Sequence, residues 1–340
     1  MSPARPAKKA KEAAKKRAPV RAAVKKRAPA RAAVKKRAPA KATVKKRTPA
    51  KAATKATGLG ETGAKTPMLR PLPVYEFEAG GLQGYVRLAD PQRGIEFSGC
   101  REGKHLPEAC KEVLSLRHYL ARGEGGLLIP REEVKCDGSV DKQGVVFKYG
   151  PAAKWPIDAT ARYELLPEGG VDVTFAFTLA KGLKGFEAGV ETLTPRTQAN
   201  IHVHAGGKWT AAAAGPRLQR FYPRNMGVRE LIADGRWNGL RMAGIGLSVE
   251  PQGYDYPVAV IWEPNTKWAL AYMALTEECS SIWVNGADNA LGLGLVGADI
   301  KPKSGATCRV RALLCPVTQL DDILPYYRDF VREARTTRKH

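Results

Sequence analysis

The chain has 340 residues and a formal net charge of +23, and that charge sits at one end. Residues 1–67 hold 22 Lys/Arg against Glu12 and Glu61, a net +20, whereas the other 273 residues hold 34 Lys/Arg against 31 Asp/Glu, a net +3. Such asymmetry describes a polyanion-binding arm on an ordinary domain, and no stretch carries the long apolar run of a membrane span or a secretory leader.

Four gapless decamers build the arm: EAAKKRAPVR (12–21), AAVKKRAPAR (22–31), AAVKKRAPAK (32–41) and ATVKKRTPAK (42–51). Their cations are Lys15, Lys16, Arg17, Arg21, Lys25, Lys26, Arg27, Arg31, Lys35, Lys36, Arg37, Lys41, Lys45, Lys46, Arg47 and Lys51. With no aromatic residue and few large apolar ones, the arm cannot bury enough surface to offset its ordering entropy, so disorder is expected over 1–67. Pro19, Pro29, Pro39 and Pro49 also cut any helix to pieces too short to persist alone in water. The KKRAP, KKRTP and AAVKK units resemble the Lys/Ala/Pro-rich tails of linker histones and bacterial histone-like proteins. That resemblance implies DNA, or another polyanion, as partner. Contacts would run to the phosphate backbone and ignore base sequence. A solubilising arm, an anionic-membrane tether and a nuclear-import signal stay open as alternatives. The expected location is cytoplasmic and nucleoid-associated, or nuclear in a eukaryote.

Gly58, Gly60 and Gly63, followed by Pro67, Pro71 and Pro73, mark the passage through a linker (68–73) to a domain spanning 74–340. Short alternating or apolar runs then recur between turn residues. They predict strands over Val74–Glu78, Gly84–Leu88, Gly94–Phe97, Val145–Tyr149, Ala159–Leu165, Val171–Thr178, Phe186–Leu193 and Asn200–His204. Further strands are predicted over Gly246–Glu250, Val258–Trp262, Trp268–Leu275, Ser281–Val284, Leu291–Val296 and Cys308–Cys315. Helix is predicted at the C-terminus, from an N-cap at Thr318 with Asp321 three residues on, through Leu320, Ile323, Leu324, Tyr327, Phe330 and Val331, with Pro325 awkward inside it. A second helix is expected from Pro107 to about Leu120, although LSLRHYL within it also reads as a strand. Together these predict a mainly β protein: a large antiparallel β-sandwich preceded by a disordered basic tail and closed by a C-terminal helix. The series ARYELLPEGGVDVTFAFTL (161–179), GFEAGVETLTP (185–195) and NIHVHAGGKW (200–209) resembles the galactose-mutarotase-type supersandwich. That resemblance implies a fold found in sugar epimerases and in domains of polysaccharide lyases and glycosidases, and a carbohydrate ligand. It contains no exact catalytic motif, so no catalytic residue follows from it.

The residues themselves point to one candidate site. His202 and His204 lie two apart on a predicted strand and so emerge on one face, where two imidazoles can bind a metal or transfer protons near neutral pH. Glu187 and Glu191 share a face of the preceding strand, and a hairpin is expected to bring them opposite the histidines. His202, His204 and Glu187 are the expected catalytic groups; Glu191, Trp209, Arg217 and Arg220 are the expected ligand-binding groups. No cofactor and no metal is expected. Cys100, His105, Cys110 and His118 have only part of a zinc spacing, without a CxxC pair, and the six cysteines read as reduced thiols. GLGLVG (292–297) matches GxGxxG, but Pro302 and Gly305 oppose the helix that a dinucleotide site needs, so its glycines read as strand and turn positions. FYPRN (221–225) with Arg229 reads as a loop, and Trp237 as the most exposed tryptophan. Two functions follow: a DNA-associated protein whose β domain binds a ligand, or a sugar-active enzyme that the tail localises.

Overall fold

Val171, Val173, Phe175 and Phe177 alternate with Asp172, Thr174 and Ala176, the period-two pattern of a strand with one face buried. The structure is a computed structural model, and it describes residues 43–46, 74–194 (apart from 91, 102, 108 and 143), 201–212, 218–223, 247–249 and 253–337. In it the four apolar residues are buried, and Ala176 is exposed.

In chain order the strands are β1 (Thr43–Lys46), β2 (Val74–Ala79), β3 (Leu82–Arg87), β4 (Ile95–Cys100), β5 (Lys111–Ala121), β6 (Glu124–Leu128) and β7 (Cys136–Val140). There follow β8 (Val145–Tyr149), β9 (Ile157–Leu166), β10 (Gly170–Leu179), β11 (Leu183–Leu193), β12 (Ile201–Ala205), β13 (Lys208–Ala211) and β14 (Leu218–Phe221). The last are β15 (Leu247–Val249), β16 (Tyr254–Trp262), β17 (Trp268–Ala274), β18 (Cys279–Asn285), β19 (Ala290–Ile300) and β20 (Gly305–Pro316), before helix α1 (Ile323–Thr337). They form a small sheet, β1-β2-β3-β4, a nine-stranded sheet, β13-β12-β16-β17-β20-β10-β9-β8-β7, and a seven-stranded sheet, β15-β14-β18-β19-β11-β5-β6. Among the described strand pairs all are antiparallel except β14 with β15, and the isolated bridge Pro223–Tyr254 is also parallel. The architecture is therefore the large antiparallel β-sandwich with a C-terminal helix that the strand rhythm predicts.

The two large sheets meet face to face. Val173, Phe175, Phe177, Tyr163 and Ile261 of the nine-stranded sheet share one core with Phe186, Val190, Ile282 and Leu293 of the seven-stranded sheet. The Phe177 and Phe186 rings meet edge to face at 5.8 Å. Full burial of each such side chain contributes about 1.5–3 kcal/mol. Two tyrosines keep their hydroxyls satisfied by reaching across: Tyr163 donates to the Leu114 carbonyl at 2.9 Å and Tyr254 to the Cys279 carbonyl at 2.6 Å. Helix α1 lies on the opposite, outer face of the nine-stranded sheet. Its Ile323, Tyr327, Phe330 and Ala334 recur at helical spacing and pack on Val258, Val260, Ala271, Met273 and Leu313.

Four details differ from expectation. The segment predicted helical from Pro107 is strand β5, because β11 and β6 pair with it on either side and that pairing overrides its helical spacing. Pro325 lies in the first turn of α1, where a missing amide hydrogen breaks no intrahelical bond, so it is not an interior residue. Thr318 is tied to Asp322, whose Oδ2 accepts from its backbone N and its Oγ1, both at 2.7 Å; Asp321 instead accepts from Trp209. Within the arm expected to be disordered, Thr43–Lys46 is a strand antiparallel to β2, with Lys45 in register with Glu76. The β-branched Thr43 and Val44 suit an extended backbone, and the β2 edge offers unpaired amides and carbonyls. The other residues of 1–73, and with them most of the arm's cations and the linker, lie outside the described residues.

Candidate functional site

The expected hairpin between β11 and β12 does not form. β11 pairs with β19 and β5 in the seven-stranded sheet, whereas β12 pairs with β13 and β16 in the nine-stranded sheet. Ile201, Val203 and Ala205 of β12 and Phe186, Ala188 and Val190 of β11 all point into the shared core. His202 and His204 therefore emerge on one outer face of the sandwich, and Glu187 and Glu191 on the other. The structure does not bring these two pairs together.

His204 is packed among side chains. Its Nδ1 lies 3.0 Å from Asp255 Oδ2, and the same carboxylate accepts from the Gly207 amide at 2.7 Å. Trp209 and Tyr256 each flank its ring at 5.2 Å. Trp209 Nε1 donates to Asp321 Oδ1 at 2.9 Å, which ties the β12–β13 hairpin to the start of α1. His202 sits edge-on to Trp262 at 6.2 Å. These contacts join sheet to helix. The cleft at the start of α1, lined by Lys267, Thr318, Asp322 and Tyr326, contains none of these histidines.

The outer face of the seven-stranded sheet is different in kind. One cross-strand row reads His118, Gly189, Gly294, Ser281 and the next reads Ser115, Glu191, Gly292, Trp283, Arg220. Three of these positions are glycine, and large side chains fill the space they leave. A Cβ on Gly292 would lie 2.1 Å from the Trp283 ring, one on Gly189 2.4 Å from the His118 ring, and one on Gly294 2.6 Å from Glu187 Cδ. Glu187 is fully buried and heavily bonded. Its Oε1 accepts from Arg220 Nη1 at 2.7 Å and from Ser281 Oγ at 3.3 Å, and its Oε2 accepts from Ser280 Oγ at 2.8 Å. The Arg220 guanidinium stacks over Trp283 at 5.1 Å, and His118 sits 5.1 Å from the same indole.

Bulges aim these groups. Between Cys279 and Ser281 the register against β19 slips by one residue, which turns both Ser280 and Ser281 toward Glu187. On β5 the register runs from His118 to Leu116 while β11 advances only from Gly189 to Val190. Arg117 is the extra residue, and it reaches Glu191 through Nε at 2.9 Å and lies 3.6 Å from Glu112 through Nη1. Burial, opposed by the positive Arg117, raises the Glu191 carboxyl to about 7. Burial and then the positive Arg220 lower His118 to about 4, so its imidazole is neutral at physiological pH. Chemically the face offers a carboxyl that titrates near neutrality, a neutral imidazole, two guanidiniums held by carboxylates, and an indole.

Of the predicted site residues, Glu187, Glu191 and Arg220 therefore share one face, and His202, His204 and Trp209 the other; Arg217 lies outside the described residues. Cys110 is in the core while His118 is on the outer face, so these two of the zinc-spaced residues diverge. All six cysteines are free. GLGLVG lies within strand β19, with Leu293 and Leu295 in the core and Gly292 and Gly294 beneath the side chains above. Trp237, Arg229 and two residues of FYPRN lie outside the described residues. Sequence reasoning missed Arg117, His118, Ser280, Ser281 and Trp283 as members of one group. The alternating glycines of 292–294 were the available signal, since glycine inside a strand marks a close approach.

No protein-family model matches the chain, and no curated protein matches it. Solved structures similar to it include a galactose 1-epimerase from Lactobacillus acidophilus NCFM, at 10% identity and a TM-score of 0.39, over 72% of this chain and 94% of that one. A candidate aldose 1-epimerase from Escherichia coli K12 is similar at 12% identity and 0.41, over 72% and 99%. An alpha-N-acetylgalactosaminidase from Bifidobacterium bifidum gives 12% and 0.46 over 76% of this chain, which spans only 39% of that one. Likeness at this level assigns no activity. Among the described residues no helix is long and apolar enough to cross a membrane.

Proposed function

We propose that the β domain binds a carbohydrate on the outer face of the seven-stranded sheet, and that the cationic arm holds the protein on a nucleic-acid backbone. The observation that carries the first half is that His118, Trp283 and Glu187 are sunk over Gly189, Gly292 and Gly294, with Arg220 bound to Glu187. A buried ion pair such as Glu187–Arg220 is poor value for stability alone, because desolvating both charges offsets their attraction. Polar groups converging beside an indole are what a sugar site needs to fix hydroxyls and stack a ring. The proposed ligand groups are Glu187, Glu191, Arg117, His118, Arg220 and Trp283. Calorimetric titration of the full chain with D-galactose tests this: saturable binding that Glu191→Gln weakens is expected, and no heat of binding would sink it.

The charge split, +20 over residues 1–67 against +3 over the rest, supports the second half. If roughly 6–10 of the cations engage phosphates, affinity for random duplex DNA falls about 10³–10⁵-fold between 50 and 200 mM salt. Affinity that does not change with salt would refute it. One observation favours a second reading of the β domain as a sugar epimerase: Glu191, at about 7, is suited to proton transfer near neutral pH. Polarimetry on freshly dissolved α-D-galactose separates binder from enzyme, because only an enzyme speeds the approach to the anomeric equilibrium.

A further inference from the structure

The charged face has a deep end and an open end. Glu187 and Arg220 are completely enclosed, whereas the Arg117 side chain is 30% exposed and Glu112 and Glu191 retain about a tenth of theirs. A ligand reaches the Glu112–Arg117–Glu191 end first.

At that end two carboxyls share one guanidinium. Arg220 is committed to Glu187, and Arg117 makes its close ion pair with Glu191. Glu112 is the third buried carboxyl, and Arg117 Nη1 stands 3.6 Å from it, beyond hydrogen-bond distance. Its Oε2 is buried and has no hydrogen-bond partner among the described residues, and neither has His118 Nε2. Arg93 and Arg131 act on Glu112 from farther off; both are solvent-exposed, and Arg93 is paired with Asp90 at 3.2 Å. Arg117 thus faces two carboxyls at once, and Glu112 Oε2, Ser115 Oγ and His118 Nε2 are buried without a hydrogen-bond partner among the described residues. Among the described residues no group of three His, Cys, Asp or Glu converges as a metal would require. A hydrogen-bonding organic cation at this end would give both carboxyls a second positive partner.

The geometry points to an amino sugar as the preferred ligand, its ammonium donating to Glu112 and Glu191 and its ring lying toward His118 and Trp283. This rests on the carbohydrate-binding reading above. A hexuronate is the wrong partner, because its carboxylate would face Glu112 and Glu191 while both guanidiniums are already engaged. A charge-assisted ammonium–carboxylate bond that the neutral sugar lacks corresponds to roughly a tenfold gain in affinity.

The test is calorimetric titration of the full chain at pH 7 with D-galactosamine, D-galactose and D-galacturonate. Galactosamine is expected to bind about tenfold tighter than galactose, with galacturonate weakest. In Glu112→Gln the ratio of galactosamine to galactose affinity falls toward one. A ratio at or below one in the wild type, or a preference for galacturonate, overturns the inference and leaves sugar binding standing. Binding of none of the three overturns the carbohydrate reading, and the inference with it.

Discussion

On the outer face of the nine-stranded sheet, Val258, Val260, Ala271 and Met273 meet Ile323, Tyr327 and Phe330 of α1. On the outer face of the seven-stranded sheet, His118, Trp283 and Glu187 lie over glycines, with Arg220 and Glu191 buried beside them. Both faces bury much of their side-chain surface, but by different means. The first is largely a second apolar core, in which burial itself supplies the stability, with one buried ion pair, Asp172–Arg311, set against Phe330 of α1. The second encloses charge, which costs desolvation and recovers it only through specific hydrogen bonds and ion pairs. Ligand binding is the proposed reason for the larger cluster of enclosed polar groups on the second face. The histidine pair first singled out in the sequence belongs with the apolar, helix-covered face.

The largest expected effects come from cutting into each face at its centre. Arg220→Ala leaves Glu187 enclosed without its cation and should cost about 3–5 kcal/mol. Phe330→Ala opens a cavity under α1 and should cost a similar ~3–5 kcal/mol. Chemical denaturation gives both values, and sugar titration separates them: Arg220→Ala loses binding, and Phe330→Ala keeps it. Loss of binding in both would erase the distinction between the faces. Gly292→Ala should cost about 1–3 kcal/mol, because the new methyl group would sit where the Trp283 ring is, 2.1 Å away. Its signature is an altered tryptophan fluorescence as the indole is displaced. Trp209→Phe removes the bond to Asp321 and trims the contact with His204, and the lost bond should cost about 0.5–1.5 kcal/mol without affecting the charged face.

The smallest effect is one of pH, because two groups oppose each other. Glu191 rises from 4.5 to about 7 on folding, so the folded chain keeps a proton the unfolded chain has lost. Its contribution is complete below the lower value and is lost as pH rises through the upper one. His118 falls from 6.5 to about 4, so its contribution is present above the first value and lost as pH drops toward the second. Between pH 4.5 and 6.5 the two slopes have opposite sign. Glu191→Gln should make stability rise with pH across that window, and His118→Asn should make it fall. Urea midpoints at both ends measure the slopes, and slopes of the same sign in the two variants would contradict these shifts.

The fold was largely legible because its strands alternate. Val145–Tyr149 is found where the run predicts it, and β10 buries the four residues its pattern assigns to the core. Strands with weaker alternation, such as β7 (CDGSV) and β13 (KWTA), were not foreseen, since sheet neighbours rather than their own residues fix them. The site was half legible. Glu187 and Glu191 share a face by simple periodicity, but which sheet β12 joins is a long-range property invisible to spacing. Arg117 and the two serines depend on bulges, which place consecutive residues on one face against the period-two rule.

The account turns on which outer face meets the ligand, and amide hydrogen exchange of the full chain with and without saturating D-galactosamine reads this directly. Binding as proposed adds protection in β5, β11 and β18 and leaves β12, β13 and α1 unchanged. Added protection confined to the β12–β13 hairpin and α1, or none in β5 and β11, would contradict it.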